Sequence, residues 1–305
     1  MAKDRRPDLI VGDTGSGKSR LAASAAESVF AKTGKKTRLY TADGAELYEL
    51  LTELGIGEVC NLYTMKGAPF EVLEMAAQGY WPDAQGRMQP PAGLDAVGLF
   101  IFEGLTPFGE WELSRMADLA AKGGRFGPDA AVNFTDGERA IGGNGMAYYN
   151  IVQNDIRAMV KKTYKLPARV IWTSRESKDM DDDRRQLVFG PMVAGKAMTA
   201  SAPAWFANVL GLEVQPVVGG DSRWMLHLKT WYDKTNPTVP HLCKIRDFST
   251  KGAETHLPAT LTGYDINMER VDTLIEQAEG KARAALEARL GINNKAAEAT
   301  VGQEK

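Results

Sequence analysis

The stretch that most limits what this chain can fold into is GDTGSGKS, Gly12 to Ser19. It matches G-x-x-x-x-G-K-[ST] in full, a pattern whose glycines let successive backbone N–H groups curl around phosphate oxygens. Such a loop works where a strand ends and a helix begins, because the helix N-terminus adds its dipole. Both neighbours are present. Leu9-Ile10-Val11 is a brief apolar strand. SRLAASAAESVFAKTG then spaces Leu21, Ala22, Ala25 and Val29 at helical intervals, with Gly34 placed as a stop. Asp13, Thr14, Gly15, Ser16 and Gly17 make up the cradle between Gly12 and Lys18. Lys18 is expected at the β- and γ-phosphates of a nucleotide, and the Ser19 hydroxyl on Mg²⁺.

A nucleotide with Mg²⁺ calls for a second acidic group at the end of a neighbouring hydrophobic strand. VGLFIFEGLTP, residues 97–107, has that shape: an apolar run closed by Glu103 and Gly104. A carboxylate there is costly unless paired or metal-bound. Asp is the usual residue, and the extra methylene of Glu103 leaves two roles open, a metal-shell ligand or a base reaching the attacking water.

Between these motifs strands and helices alternate. KTRLYTAD reads as a strand from Lys36 to Asp43, ELYELLTELG as a helix, NLYTM (Asn61–Met65) as a strand, and APFEVLEMAAQ as a helix. QGYWPDAQGRMQPPAGLD reads as a surface excursion before the Glu103 strand. This alternation predicts a doubly wound, mainly parallel α/β sheet. Asp43, ending the second strand, faces the same crevice as the loop.

Composition bounds the alternatives. The chain has 305 residues, 44% hydrophobic and 25% charged, enough for a sizeable core. A formal net charge of −2 gives no global basic field, so any nucleic-acid site is local. Cys60 and Cys243, with His227, His241 and His256 scattered, make neither a disulfide framework nor a zinc cluster. MAKDRRPDLIVG has no apolar stretch long enough for a signal peptide, and no later segment is suited to spanning a membrane. A cytoplasmic protein is the expectation.

In order and spacing, GDTGSGKS, TRLYTADGAE, LGIGEVCNLYTM and VGLFIFEGLTP resemble the core of RecA-type ATPases. GMAYYNIVQNDIRAMVKKTYKLPARVIWTSRE and FGPMVAGKAMTASAPAWFANVLG are similar to phage-encoded RecA-like NTPases of the AAA-domain group, including the single-strand annealing ATPases. The likeness spans roughly residues 8–250. It implies ATP as nucleotide, the host cytoplasm as location, a homo-oligomer with nucleotide at subunit interfaces, single-stranded DNA and a phage single-strand-binding protein as partners. It also implies that the acidic residue ending the second strand activates water. Asp43 holds that position, although family members more often carry Glu; Glu103 is the second choice.

The downstream residues suit that frame. YNIVQNDIRAMVKKTYK lines Ile151, Val152, Ile156, Met159 and Val160 along one helical face. LPARVIWTSRE gives a strand ending in Thr173-Ser174, and the resemblance makes one of these two hydroxyls the γ-phosphate sensor. SKDMDDDRRQ follows as a loop where the resemblance places DNA; its aspartates oppose phosphate binding, while Arg184, Arg185 and Lys196 favour it. Gly123–Gly145 is a long Gly-rich loop, with Arg125, Phe126, Phe134 and Arg139 as candidate DNA contacts. A helix is expected around Pro203–Leu210. LEVQPVV, GGDS and RWMLHLKTWY read as an antiparallel hairpin, and VPHLCKIRDFS as a strand with Lys244 and Arg246 on one face. In RecA-like oligomers basic residues of this region reach the next subunit's γ-phosphate. A helix over Met268–Leu290 and a disordered tail complete the chain. The division expected is a core over 1–250, a linker and helix over 251–291, and the tail over 292–305. Two other classes remain: a P-loop phosphotransferase with Arg175, Arg184 and Arg185 as a lid, and a nucleotide-binding assembly or packaging component.

Overall fold

The computed structural model describes residues 6–42, 45–65, 70–121, 145–181, 186–193, 198–215, 223–232, 238–245, 253–263 and 266–289. Its first half alternates as the sequence predicts. β1 (Asp8–Gly12), α1 (Lys18–Thr33), β2 (Lys36–Thr41), α2 (Ala45–Glu53), β3 (Cys60–Thr64) and α3 (Phe70–Ala76) follow in order. The Gly/Pro-rich excursion carries a two-stranded ribbon, β4 (Trp81–Pro82) and β5 (Met88–Gln89), before β6 (Val97–Glu103) and α4 (Leu105–Ala121). Then come α5 (Gly145–Lys162), β7 (Arg169–Ser174), β8 (Glu176–Asp181), β9 (Gln186–Pro191), α6 (Met198–Ser201) and β10 (Asn208–Gln215). β11 (Arg223–His227), β12 (Trp231–Tyr232), β13 (Pro240–His241), β14 (Thr260–Gly263) and α7 (Met268–Arg289) close the list.

Among the described residues eight strands form the main sheet, in the order β14-β11-β10-β1-β7-β6-β2-β3. From β10 to β3 every pairing is parallel; β11 and β14 add antiparallel strands at one edge. The central strands β1, β6 and β7 are buried on both faces, which is why they read as largely apolar runs rather than alternating ones. Their side chains still sort by parity. Leu9, Val11, Phe100, Phe102 and Trp172 pack under α3, α4 and α5. Ile10, Leu39, Leu99, Ile101, Ile171 and Leu210 pack under α1, α2 and α7. α1 ends at Gly34, whose φ of 69° lets its N–H reach the Phe30 carbonyl. β14 and α7 join this same sheet and core, α7 lying on α1 with the Met268 N–H donating to Ser24 Oγ at 3.0 Å.

Tyr40, Phe102 and Trp172 stand opposite one another on β2, β6 and β7 and stack face to face. Their ring centroids lie 5.0 and 4.5 Å apart. Each stacked pair contributes about 0.5–1.5 kcal/mol beyond its buried area. A one-residue slip of β6 would put Phe102 where Glu103 belongs, so the stack holds the register on which the site depends.

Two expectations are corrected. The SKDMDDDRRQ segment is not simply a solvated loop: Glu176–Asp181 is β8, paired antiparallel with β9 in a second sheet of order β12-β13-β9-β8. The helix expected at Pro203–Leu210 is one turn of 3₁₀ helix at Ala202–Trp205, after which Asn208 already opens β10. Asp182 to Arg185, Lys196, the candidate contacts of the Gly-rich loop, and the tail lie outside the described residues.

Four rings join the two sheets: His227, Trp231, His241 and Phe189 stack in sequence at 3.9, 3.9 and 4.1 Å. His227 sits between Glu213 and Thr260, each at 3.1 Å. Burial lowers its pKa against the pull of Glu213, and the neighbouring His241 lowers it further. The unfolded chain therefore takes up a proton below a pH of about 6.5 that folded His227 refuses. Stability should fall by up to about 1.4 kcal/mol per pH unit from there down to the lowered native value. Urea titrations between pH 7.5 and 5.5 check this, and a His227→Asn variant should lose that part of the slope. Equal slopes would refute it.

Candidate functional site

The Gly12–Ser19 loop leaves the end of β1 and opens α1. A Cβ on Gly12 would meet the Leu212 carbonyl oxygen at 2.3 Å and Ser16 Oγ at 2.7 Å, so no side chain fits there. Gly15 and Gly17 hold φ of 77° and 87°, which a side chain would resist. The Ser16 N–H donates to the Asp13 carbonyl at 3.1 Å and closes the turn. Asp13, Thr14 and Gly15 form its exposed crown, while Ser16 is buried beneath with a hydroxyl that finds no hydrogen-bond partner among the described residues. Gly17 caps α1 without a side chain, so it leaves the helix N-terminus uncovered.

Lys18 reaches across this turn and donates to the carbonyls of Gly12 at 2.9 Å and Asp13 at 2.6 Å. Burial lowers its pKa from the usual ammonium value, Glu103 and Asp13 pull it back up, and Arg175 adds a lowering charge. Ser19 Oγ donates to Glu103 Oε1. Residues 84 positions apart thus bring a hydroxyl and a carboxylate together beside the ammonium.

Register explains the placement of Glu103. On three adjacent strands Thr41, Glu103 and Thr173 are direct neighbours, and all three are buried. They follow the Tyr40–Phe102–Trp172 stack by one residue each and so point to the opposite face, the one α1 covers. Ser174 turns the other way. Its hydroxyl donates to the Arg175 carbonyl at 2.9 Å and lies 3.2 Å from Thr106 Oγ1, which itself donates to the Met192 carbonyl. Of the two hydroxyls ending β7, Thr173 shares the face of the loop and Ser174 braces the turn behind it. The Arg175 N–H donates to Thr106 Oγ1 at 3.0 Å, which fixes the backbone of that exposed cation near Lys18. Thr41 was missed in the sequence, where a threonine two residues before Asp43 carries no signal of its own.

Asp43 and Arg246 lie outside the described residues. Lys244 pairs with Val209 through backbone hydrogen bonds of 2.9 and 2.7 Å, at the level of Leu9 on β1. That is three residues, about 10 Å, below the strand end where the loop begins. The Lys244 backbone therefore lies away from the strand ends that carry Gly12 and Glu103.

The donors suit a hard cation: one hydroxyl and one carboxylate oxygen, with no nitrogen or sulfur. Among the described residues no group of three or more His, Cys, Asp or Glu could hold a metal unaided. Such a pair matches Mg²⁺, which takes one or two protein oxygens and completes its shell with phosphate and water. Among those residues, too, no helix is long and apolar enough to cross a membrane. The chain matches no protein-family model and no curated protein.

Proposed function

We propose that this protein is a Mg²⁺-dependent ATPase with a RecA-like core. The contact between the P-loop hydroxyl Ser19 and the strand-end carboxylate Glu103, beside Lys18, carries the reading. The sheet order supports it, since β7, with Thr173 at its end, lies between the loop strand β1 and the carboxylate strand β6. In this reading the loop N–H groups and Lys18 hold the phosphates, Ser19 and Glu103 hold the metal, and Thr173 rather than Ser174 faces the γ-phosphate. Mg²⁺, when bound, draws charge from the β- and γ-phosphate oxygens. Water attacks the γ-phosphorus, the bond to the bridging oxygen breaks, and ADP leaves with the electron pair. Asp43 takes the water's proton, with Glu103 as the second choice. Lys244 and Arg246 act toward the nucleotide of a neighbouring copy in a homo-oligomer. The biological role proposed is phage DNA recombination or single-strand annealing, which rests on the resemblance alone.

Steady-state ATP hydrolysis with Mg²⁺, with and without single-stranded DNA, tests both parts. Activity stimulated by single strands and abolished in Lys18→Ala is the expected result. Lys18-dependent hydrolysis indifferent to DNA would keep the ATPase and remove recombination. No hydrolysis at all would overturn the enzyme reading.

A further inference from the structure

The loop has two sides, and the site above uses one of them. Glu103 and Thr173 stand on β6 and β7, to one side of β1. On the other side, across β10, β11 brings Trp224 up to the loop: its indole Nε1 lies 3.4 Å from where a Gly17 Cβ would be. An open, shallow cleft lies there between Gly17, Arg20, Leu212, Trp224 and Ile266. We infer that this cleft takes the nucleobase, stacked on Trp224. The inference rests on the nucleotide reading and deepens it.

The direction of the ligand follows from the fixed end. Glu103 and Ser19 define where metal and terminal phosphates sit, so the α-phosphate, sugar and base extend away from β6. Away from β6 means past Gly17 and the first turn of α1, toward β10 and β11. The surfaces waiting there suit a flat, weakly polar group. Leu212 and Ile266 give apolar walls, and the half-buried indole gives an aromatic one. Arg20, which is held by Glu53 at 2.8 Å, closes the rim. Gly17 shapes the loop through its positive φ, and the indole lies within van der Waals reach of it. Stacking accepts any π face, so the cleft selects a nucleoside rather than one base, with purines favoured by their larger face.

The test compares inorganic tripolyphosphate with ATP, GTP and CTP, all with Mg²⁺, by calorimetric titration of the full chain. In wild type, ATP and GTP should bind more tightly than tripolyphosphate, and CTP should fall between. Trp224→Ala should weaken ATP roughly five- to a hundredfold, the span of base–aromatic stacking on proteins, and leave tripolyphosphate unchanged. Trp224→Phe should keep most of the ATP affinity yet lose the indole fluorescence change that ATP produces in wild type. That second variant keeps the test decisive if the alanine chain fails to fold. ATP affinity unmoved in Trp224→Ala, or ATP and tripolyphosphate weakened alike, would overturn the subsite while leaving the P-loop reading intact. Wild type that binds neither ligand would sink the nucleotide reading and the subsite together.

Discussion

Glu103→Gln should raise the Mg²⁺ concentration needed for hydrolysis by about 10–100-fold, with much of the turnover restored at saturating metal. The carboxylate is buried, accepts from Ser19 Oγ, and lies in register between Thr41 and Thr173. That places it toward the P-loop hydroxyl, where the proposed metal-shell role needs it, and the base role remains the other branch of the fork left by its extra methylene. An amide keeps the shape and one acceptor oxygen but withdraws the negative charge that the cation needs. The change has a second consequence, at Lys18. Glu103 is the largest influence holding the Lys18 pKa up against burial, so its removal lets that pKa fall further. The alkaline limb of the pH–rate profile should therefore move to lower pH in Glu103→Gln, because Lys18 loses its charge sooner. Rates measured over a Mg²⁺ series at several pH values check both effects. Turnover lost at every Mg²⁺ concentration, with Mg²⁺·ATP binding intact, would instead make Glu103 the base and displace Asp43 from that role.

The sequence disclosed the parts of this site that depend on local chain and hid those that depend on register. GDTGSGKS announces itself because one loop does all its work within eight residues. VGLFIFE was legible because a buried parallel strand is a continuous apolar run, and an acid ending it needs a reason. Whether Thr173 or Ser174 faces the loop was not legible, since parity has meaning only once a helix covers one face. Trp224 carried no signal at all; it reaches the loop through two strand pairings and a gap of some 200 residues. The second sheet hid for a different cause. In ESKDMD the apolar and polar positions do not alternate, and the strand forms because β9, Gln186–Pro191, supplies the apolar partner. The run APAWFANVLG misled through its length: it is too short to show a period, so a 3₁₀ turn and the start of a buried strand read as one helix.

Asp8→Ala should destabilise the fold by about 2–4 kcal/mol and leave nucleotide affinity nearly unchanged. Asp8 opens β1 and is almost wholly buried. Its Oδ1 accepts from Asn208 Nδ2 at 2.7 Å, and its Oδ2 accepts from Arg169 Nε at 2.9 Å and Nη2 at 2.8 Å. Arg169 also pairs with Asp272 on α7 at 2.8 Å, so one carboxylate ties β1 to β7 and β10, and the guanidinium extends the tie to the C-terminal helix. Burial alone would lower the Arg169 pKa; the two carboxylates more than reverse this and raise it. Alanine at position 8 removes the half-pair whose loss hurts most, leaving a guanidinium and an amide short of an acceptor in the least solvated part of the network. Asp272→Ala should cost less, about 1 kcal/mol, because that carboxylate is about a quarter exposed and water replaces it. Urea unfolding of the two variants and of the double variant gives the coupling between them through Arg169. The nucleotide loop stays out of the account because Gly12 lies four residues further along β1, about 13 Å away. Asp8→Ala no more destabilising than Asp272→Ala would mean that the strands, not this carboxylate, hold the foot of the sheet together.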